Sequence, residues 1–171
     1  MTADGKIAEA ERWLDKIRNS DHRKDRTALN DNVNAFLNTV NSIPDHLLEE
    51  YQQKFYLGIT FYDELRPRIF EDTAKKQGNR QALGFILAFN QEKAKIESDP
   101  IGKILTKKRD LDTHRDSQKP NKLVAVVGGT KDPNDDFSVN FPEFSGNVDD
   151  TCKKLLDMMK NFVLRLRTQF P

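Results

Sequence analysis

The chain has 171 residues, the usual size of one domain, and splitting it would leave two small cores. Its 28 basic and 27 acidic side chains leave a net charge of +1, so nucleic-acid binding would need a local patch. The single cysteine excludes a disulfide within the chain and indicates a reducing compartment. With no secretory signal and no apolar run of about 20 residues, we expect a cytoplasmic protein with no membrane contact.

The first half of the chain predicts a series of helices. Apolar residues recurring at three- and four-residue steps predict helices over about 2–18, 25–42, 44–65, 68–77 and 80–98. Pro44 suits the first position of its helix, where a missing N–H costs nothing, and Pro67 should end or kink the same helix. Gly78 is expected as a left-handed cap after the short piece.

The second half predicts one more helix, a hairpin and a long closing helix. Asp99 and Pro100 form a start signal for a fifth main helix, which Pro120 would stop at the latest. Two β-branched runs around a Gly- and Asp-rich loop predict a β-hairpin over about 122–142. A continuous apolar stripe predicts the last helix over about 147–169. The predicted fold is therefore a single mainly α domain over 1–171, an up-and-down bundle of about five helices with one inserted hairpin.

Two candidate sites have simpler structural interpretations. The Gly128-Gly129 pair follows a predicted strand, but it lacks the spacing of a nucleotide loop and no helix follows to bind phosphate. We therefore expect a hairpin turn there. Cys152 lies on the apolar face of the last helix, which favours a small buried hydrophobic residue over a nucleophile.

The segment Arg109–His114 is the one credible active-site candidate. Asp110 and His114 are four residues apart, so a carboxylate–imidazole hydrogen bond is feasible along a helix and would favour the protonated ring. Arg109 lies roughly 140° from His114 on an ideal helix, so the two heads converge only by reach, helix distortion or a second subunit. The alternative is a solvated polar face with helix ion pairs.

The charged neighbours of this segment do not indicate a metal site. Three cations add local positive charge and could bind substrate: Lys103, Lys107 and Arg115. Asp110 pairs with His114 on one helix face, whereas Asp112 and Asp116 pair on another, and no second ligand group is evident. We expect no metal and no cofactor.

The spacing in this segment resembles a known family signature. Arg109 is followed by four residues and His114, and the polar Asp110 comes directly after the arginine. This pattern lies late in a helical chain, on a helix led in by Asp-Pro, before a hairpin and a long last helix. It resembles the signature of the HEPN superfamily (higher eukaryotes and prokaryotes nucleotide-binding), and uncharacterised bacterial members in particular. In architecture the resemblance covers about residues 25–170.

The resemblance implies both a fold and an activity. HEPN domains are bundles of four to five helices, usually dimeric, and many are metal-independent endoribonucleases of toxin–antitoxin, phage-defence or CRISPR systems. Arg109 and His114 match the catalytic pair and Asp110 the polar position. His114 would act as general acid or base while the ribose 2′-OH attacks phosphorus, and Arg109 would stabilise phosphate charge. The implied partners are a second copy of the chain, RNA and a cognate antitoxin-like protein.

Two other functions remain open at this point. The near-neutral charge and the acidic neighbours Asp112 and Asp116 do not favour a polyanion, so a non-catalytic helical interaction or structural protein of the same fold is the main alternative. A bundle that binds a small molecule or nucleotide is the third.

Overall fold

The computed structural model describes residues 2–19, 26–59, 65–106, 126–127, 139–140 and 147–171, and in these ranges the chain is mainly helical. The helices are α1 (Ala3–Asn19), α2 (Arg26–Lys54), α3 (Pro67–Lys76), α4 (Arg80–Ser98), α5 (103–106, as far as it is described) and α6 (Val148–Gln169). Among the described residues, no helix combines the length and the apolar character that crossing a membrane requires.

Four of the predicted helices are confirmed. α1, α3, α4 and α6 begin and end within one or two residues of the positions that their apolar patterns predict. The apolar stripe of α6 is buried along its length, from Val148 to Leu166. Its first turn is capped by Asn147, whose side-chain oxygen accepts a hydrogen bond from the N–H of Asp149 at 3.0 Å.

The predicted break at Pro44 is wrong, because α2 runs through this residue without interruption. A proline inside a helix removes one backbone hydrogen bond and costs about 3 kcal/mol. The side chains on both sides of it, Val40, Ile43 and Leu47, are fully buried. Each such side chain contributes about 1.5–3 kcal/mol when buried, so continuous packing of one helix outweighs the lost bond.

The predicted hairpin stays a prediction. Two strands of two residues each, β1 (Val126–Val127) and β2 (Val139–Asn140), pair antiparallel, with Val126 opposite Asn140. This pairing is far shorter than the hairpin predicted over 122–142, and the remaining residues of that range lie outside the described part of the chain.

A cluster of aromatic rings forms the centre of the core, and Phe85 of α4 joins its members. Phe85 is fully buried and stacks on Tyr51 of α2 with ring centroids 4.0 Å apart. Four further rings have centroids 5.6 to 5.9 Å from that of Phe85: Phe55, Phe70, Phe89 and Phe170. These rings come from α2, α3, α4 and the end of the chain, so one side chain holds four segments together.

Ion pairs between α1 and α6 show that these two helices run antiparallel. Three pairs follow one another along the helices: Arg18 with Asp149 at 2.6 Å, Glu11 with Lys160 at 2.6 Å, and Asp4 with Arg167 at 2.7 Å. Arg167 also binds Glu50 of α2 at 2.9 Å. Because these side chains are partly exposed to solvent, the pairs contribute orientation more than stability.

The helices α2 and α3 end in the same kind of turn, a Schellman motif. Its two backbone bonds are Leu57 N–H to Gln52 O (3.0 Å) and Tyr56 N–H to Gln53 O (3.0 Å) in α2, and Asn79 N–H to Ala74 O (2.9 Å) and Gly78 N–H to Lys75 O (3.1 Å) in α3. The residue in the left-handed conformation is Gly78 in α3, with φ +63°, which confirms the predicted cap. In α2 it is Tyr56, with φ +54°. The predicted end of this helix near Leu65 is therefore wrong, because the turn stops α2 at Lys54.

We predict that Tyr56→Gly raises the free energy of unfolding by about 0.5–1 kcal/mol. A left-handed conformation costs a residue with a Cβ atom about 1–2 kcal/mol, and the greater freedom of unfolded glycine offsets part of the gain. The matched variant Gly78→Ala should lower stability by about 1 kcal/mol. Urea denaturation of both measures this, and a Tyr56→Gly protein less stable than wild type would contradict the prediction.

A second prediction concerns Glu92 of α4, which receives hydrogen bonds from Lys95 and Arg165. The bond from Lys95, assisted by Arg165, holds the pKa of Glu92 below its ordinary value of 4.5, although burial opposes this. A carboxyl group with a lowered pKa in the folded state stabilises the fold above its unfolded pKa, and this contribution is lost as pH falls through the folded pKa.

Glu92→Gln should therefore lower the free energy of unfolding by about 0.5–1 kcal/mol at neutral pH. The difference from wild type should shrink as pH falls below 4.5. Thermal denaturation between neutral and acid pH measures it, with Asp157→Asn on the exposed face of α6 as control, and a pH-independent difference would contradict it.

Candidate active site

The structure does not describe most of the predicted site residues. Five lie outside the described residues: Lys107, Arg109, Asp110, His114 and Arg115. Their predicted roles stay predictions. The sixth, Lys103, lies in the first turn of α5 with an exposed side chain.

The start of α5 is built as the Asp99-Pro100 signal predicts. The Asp99 carboxylate accepts hydrogen bonds from the backbone N–H groups of Ile101 at 2.8 Å and Gly102 at 3.3 Å. The N–H of Lys103 donates to the Asp99 carbonyl at 3.0 Å, as the first bond of the helix. Since Asp99 satisfies N–H groups that would otherwise lack partners, it fixes where α5 begins and confirms the predicted start.

Gly102 allows α5 to lie against the end of α4. A Cβ atom at this position would be 1.9 Å from the carbonyl oxygen of Ile96, far inside contact distance. Only glycine therefore fits. The following Ile104 and Leu105 are buried, which fixes the direction in which the first turn of α5 faces the core.

A cleft of about 380 Å³ lies where α2, α4, α5 and α6 meet, and the last described residue of α5, Thr106, forms part of its wall. Its buried lining consists of Pro44, Ile96, Gly102, Leu105 and Met159. Its more exposed lining consists of Asn38, Asn41, Ser42, Asp45, Lys93, Glu97 and Thr106. Asn41 also donates a hydrogen bond to the carbonyl of Leu105 at 3.1 Å, which ties α2 to α5. The cleft thus combines an apolar floor with a rim of amide and hydroxyl groups.

The charges around this cleft do not favour an anion inside it. Two of the lining residues, Asp45 and Glu97, are acidic, and one, Lys93, is basic. A phosphate would meet more acidic than basic groups among the described lining residues, whereas a neutral group with hydrogen-bond donors and acceptors would find partners in the amides and hydroxyls. The cleft is therefore chemically suited to a nucleobase or another neutral polar ligand.

Sequence reasoning did not predict this cleft, although the signal for it is present. Asn38, Asn41, Ser42 and Asp45 follow the steps i, i+3, i+4 and i+7, so they form one polar stripe on α2. The predicted helix break at Pro44 divided the stripe between two helices and concealed it.

A second cavity, of about 280 Å³, lies beside the end of the chain and is held by structural bonds. The hydroxyl of Tyr51 donates to the carbonyl of Phe170 at 2.7 Å, and the Lys54 ammonium donates to the same oxygen at 3.1 Å. Burial raises the pKa of Tyr51, so this hydroxyl keeps its proton and remains a donor. The hydroxyl of Tyr51 and the ammonium of Lys54 therefore anchor the last residues of the chain.

The remaining sequence candidates have structural roles. Cys152 is fully buried, and burial raises the pKa of its thiol to about 12, so the predicted buried hydrophobic residue is confirmed. Trp13 packs against the core, with the Lys16 ammonium 4.0 Å from its ring centroid. Within the described ranges, no group of three or more His, Cys, Asp or Glu side chains is placed to hold a metal ion.

No protein family model, curated protein or solved structure matches this chain. The function proposed below depends on the residues of this chain and on the HEPN-like spacing of Arg109 and His114.

We predict that Gly102→Ala lowers the free energy of unfolding by about 1–3 kcal/mol, because the added Cβ atom meets the Ile96 carbonyl and forces α5 away from α4. Gly84→Ala is the matched control. Its Cβ atom would lie 3.5 Å from the Phe170 ring, an ordinary contact, and alanine suits a helix interior better than glycine. The control should therefore be neutral or stabilising. Chemical denaturation of both variants tests this, and equal stabilities would contradict the close approach at Gly102.

Proposed function

We propose that the chain is a metal-independent endoribonuclease of a HEPN-like toxin or phage-defence type, with its site on the residues that follow the described part of α5 in the sequence. The observation that carries the proposal is the position of the motif. Residues 107–115 follow directly on a helix turn that forms one wall of a polar cleft. The proposed catalytic residues are Arg109, Asp110 and His114, and the proposed substrate-binding cations are Lys103, Lys107 and Arg115.

The proposed reaction is an intramolecular transesterification at a phosphorus atom of RNA. The ribose 2′-oxygen attacks the adjacent phosphorus and loses its proton to a base, while the 5′-oxygen of the next nucleotide leaves and takes up a proton. The products are a 2′,3′-cyclic phosphate and a 5′-hydroxyl end. His114 serves as general acid or base, and Asp110 fixes its orientation. Arg109 stabilises the charge that develops on the phosphate oxygens.

The cleft supports this assignment because its lining suits a neutral nucleobase better than a phosphate. Its volume lies within the range of small-molecule sites, and its amide and hydroxyl rim can bond the edge of a base. The acidic Asp45 and Glu97 do not favour phosphate inside the cleft, and Lys103 does not line it. Lys103, Lys107 and Arg115 are the cations proposed to bind phosphate. A nucleotide would therefore place its base toward Asn38 and Asn41 and its phosphate toward the motif.

We further propose that two copies of the chain share the site. On an ideal helix Arg109 and His114 lie roughly 140° apart, so within one copy both heads reach the same phosphate only through side-chain length or a distortion of the helix. A homodimer in which the motifs face each other removes this difficulty. The proposal includes an up-and-down bundle for the whole domain, a cytoplasmic location, and a cognate antitoxin-like protein as partner of the toxin type.

A non-catalytic helical interaction protein of the same fold is the second candidate. The observation that favours it is charge, because the whole chain carries only +1 and the described lining of the cleft has two acidic groups and one basic group. In this case wild-type protein would leave RNA intact, while a protein partner would still co-purify.

We predict that purified wild-type protein cleaves single-stranded RNA in the presence of EDTA, and that His114→Ala and Arg109→Ala each reduce the rate at least about 100-fold. The assay follows a fluorescently labelled RNA and identifies the cyclic-phosphate end. His22→Ala, a histidine change outside the motif, is the matched control, and circular dichroism confirms that each variant is folded. Full activity in either motif variant would refute the assigned roles. Background activity in wild type would favour the non-catalytic protein.

A further inference from the structure

Tyr56 has a backbone conformation that lowers the stability of the fold, and its exposed side chain does not offset this cost by packing. Its side chain is 89% exposed, and its φ of +54° lies in the left-handed region. No hydrogen bond of its hydroxyl is found among the described residues. A residue with a Cβ atom costs about 1–2 kcal/mol here, whereas glycine, as at Gly78 in the matching turn of α3, costs far less. An exposed aromatic ring held in a strained backbone is a feature of ligand-binding surfaces.

Two side-chain amides join the turn that carries Tyr56 to the segment between α3 and α4. Gln77 donates to the carbonyl of Leu57 at 3.0 Å, and Asn79 donates to the carbonyl of Phe55 at 3.2 Å. The end of α3 and the start of α4 therefore lie beside the turn that carries Tyr56. This places the exposed side chains of Lys76 and Arg80 at the same end of the molecule as Lys54, the last residue of α2. We call these four residues, Lys54, Tyr56, Lys76 and Arg80, the Tyr56 surface.

The charge of this end differs from that of the whole chain. The described residues at this end, 54–59 and 65–80, contain six cationic and two acidic side chains, while the whole chain has a net charge of +1; Asp63 and Glu64, between these ranges in the sequence, lie outside the described part. The two acidic groups are both in ion pairs, Glu71 with Lys75 at 2.5 Å and Asp72 with Arg68 at 3.9 Å. Lys76 and Arg80 have no ion-pair partner in the part of the chain that the structure describes. The excess positive charge is thus available to an external anion.

We propose that the Tyr56 surface binds single-stranded RNA, with one base stacked on the Tyr56 ring and neighbouring phosphates bound by Lys76 and Arg80. Stacking of a base on an aromatic side chain contributes to affinity for any base, and it gives an exposed tyrosine in this conformation a function that glycine would not have. The choice of RNA over DNA rests on the proposed function, whereas the stacking and the charge do not. An acidic protein segment would use the cations but gain little from an open ring face.

The position of this surface fits a strand that also reaches the cleft. Tyr56 lies 11 residues beyond Asp45 of the cleft wall, and 11 residues of helix span about 16 Å. A strand of several nucleotides could therefore bind the Tyr56 surface and the cleft together. The Tyr56 surface would then increase affinity for longer substrates without contacting the reacting phosphate.

The experiment measures binding of a short, unstructured, labelled RNA by fluorescence anisotropy, with the His114→Ala protein in EDTA so that cleavage does not interfere. Tyr56→Ala should weaken binding about 5- to 100-fold, and Tyr56→Phe should keep it within about twofold, since stacking needs the ring alone. Tyr56→Gly should weaken binding as Tyr56→Ala does while the protein becomes more stable. This combination separates a binding role from a structural one.

The cations are tested through the salt dependence of the same binding. The double variant Lys76→Gln/Arg80→Gln should weaken binding and reduce the slope of log affinity against log salt by about 0.7 for each cation removed. Lys153→Gln on the exposed face of α6 is the control and should change neither. A DNA strand of the same sequence and heparin, a polyanion without bases, complete the panel. Heparin binding should not depend on Tyr56.

The outcomes separate this inference from the proposed ribonuclease. If Tyr56→Ala and Tyr56→Gly bind RNA as tightly as their parent while wild type cleaves RNA, the Tyr56 surface is refuted and the ribonuclease stands. If binding depends on Tyr56 but wild type never cleaves, the surface stands and the ribonuclease fails. Equal dependence of heparin and RNA binding on Tyr56 would refute base stacking.

Discussion

The packing of Phe85 is the constraint on which the rest of the structure depends. Its ring stacks on Tyr51, meets Phe70 of α3, and supports Phe170 at the end of the chain. Burial of these large rings contributes more than any exposed ion pair, so the cluster decides how α2, α3, α4 and the last residues meet. Because Phe55 joins the same cluster, the end of α2 is fixed immediately before Tyr56. The hydrogen bonds around the cluster, such as that from the Tyr51 hydroxyl to the Phe170 carbonyl, orient the chain segments and supply less of the stability.

The two proposed RNA-binding regions lie at different points along α2, which this packing holds in place. The cleft uses the polar stripe near Pro44, and the Tyr56 surface uses the turn at the helix end. Both require that α2 remain one continuous helix, since a break at Pro44 would remove the fixed distance between them. The charges are also divided, with acidic groups at the cleft and cations near α3. A nearly neutral chain can in this way present a local surface suited to a polyanion.

Much of the fold could be predicted from the sequence where local signals and burial agree. Apolar periodicity placed α1, α4 and α6, Gly78 marked the end of α3, and Asp99 marked the start of α5. Sequence rules failed where tertiary packing outweighs a local preference. Pro44 reads as a helix start, yet buried neighbours on both sides keep α2 intact. Tyr56 gives no turn signal, because only the backbone bonds of the Schellman motif require its left-handed conformation.

The candidate site was less predictable than the fold for a physical reason. Spacing can place Asp110 and His114 on one helix face, but it does not show which groups another copy of the chain would add. The cleft was missed because its lining comes from four helices that only tertiary packing brings together. The Tyr56 surface was missed because its residues lie on different elements, which the bonds of Gln77 and Asn79 bring to the same end of the molecule.

The central claim is a ribonuclease site shared by two copies of the chain, and subunit mixing tests it most directly. Arg109→Ala and His114→Ala proteins, each inactive alone, are mixed after dissociation and allowed to reassociate. A shared site predicts that RNA cleavage returns, because a mixed dimer contributes Arg109 from one copy and His114 from the other. Mixing either protein with the Arg109→Ala/His114→Ala double variant should restore nothing. Absence of recovery in confirmed mixed dimers, or a wild-type protein that cleaves RNA as a monomer, would contradict the account.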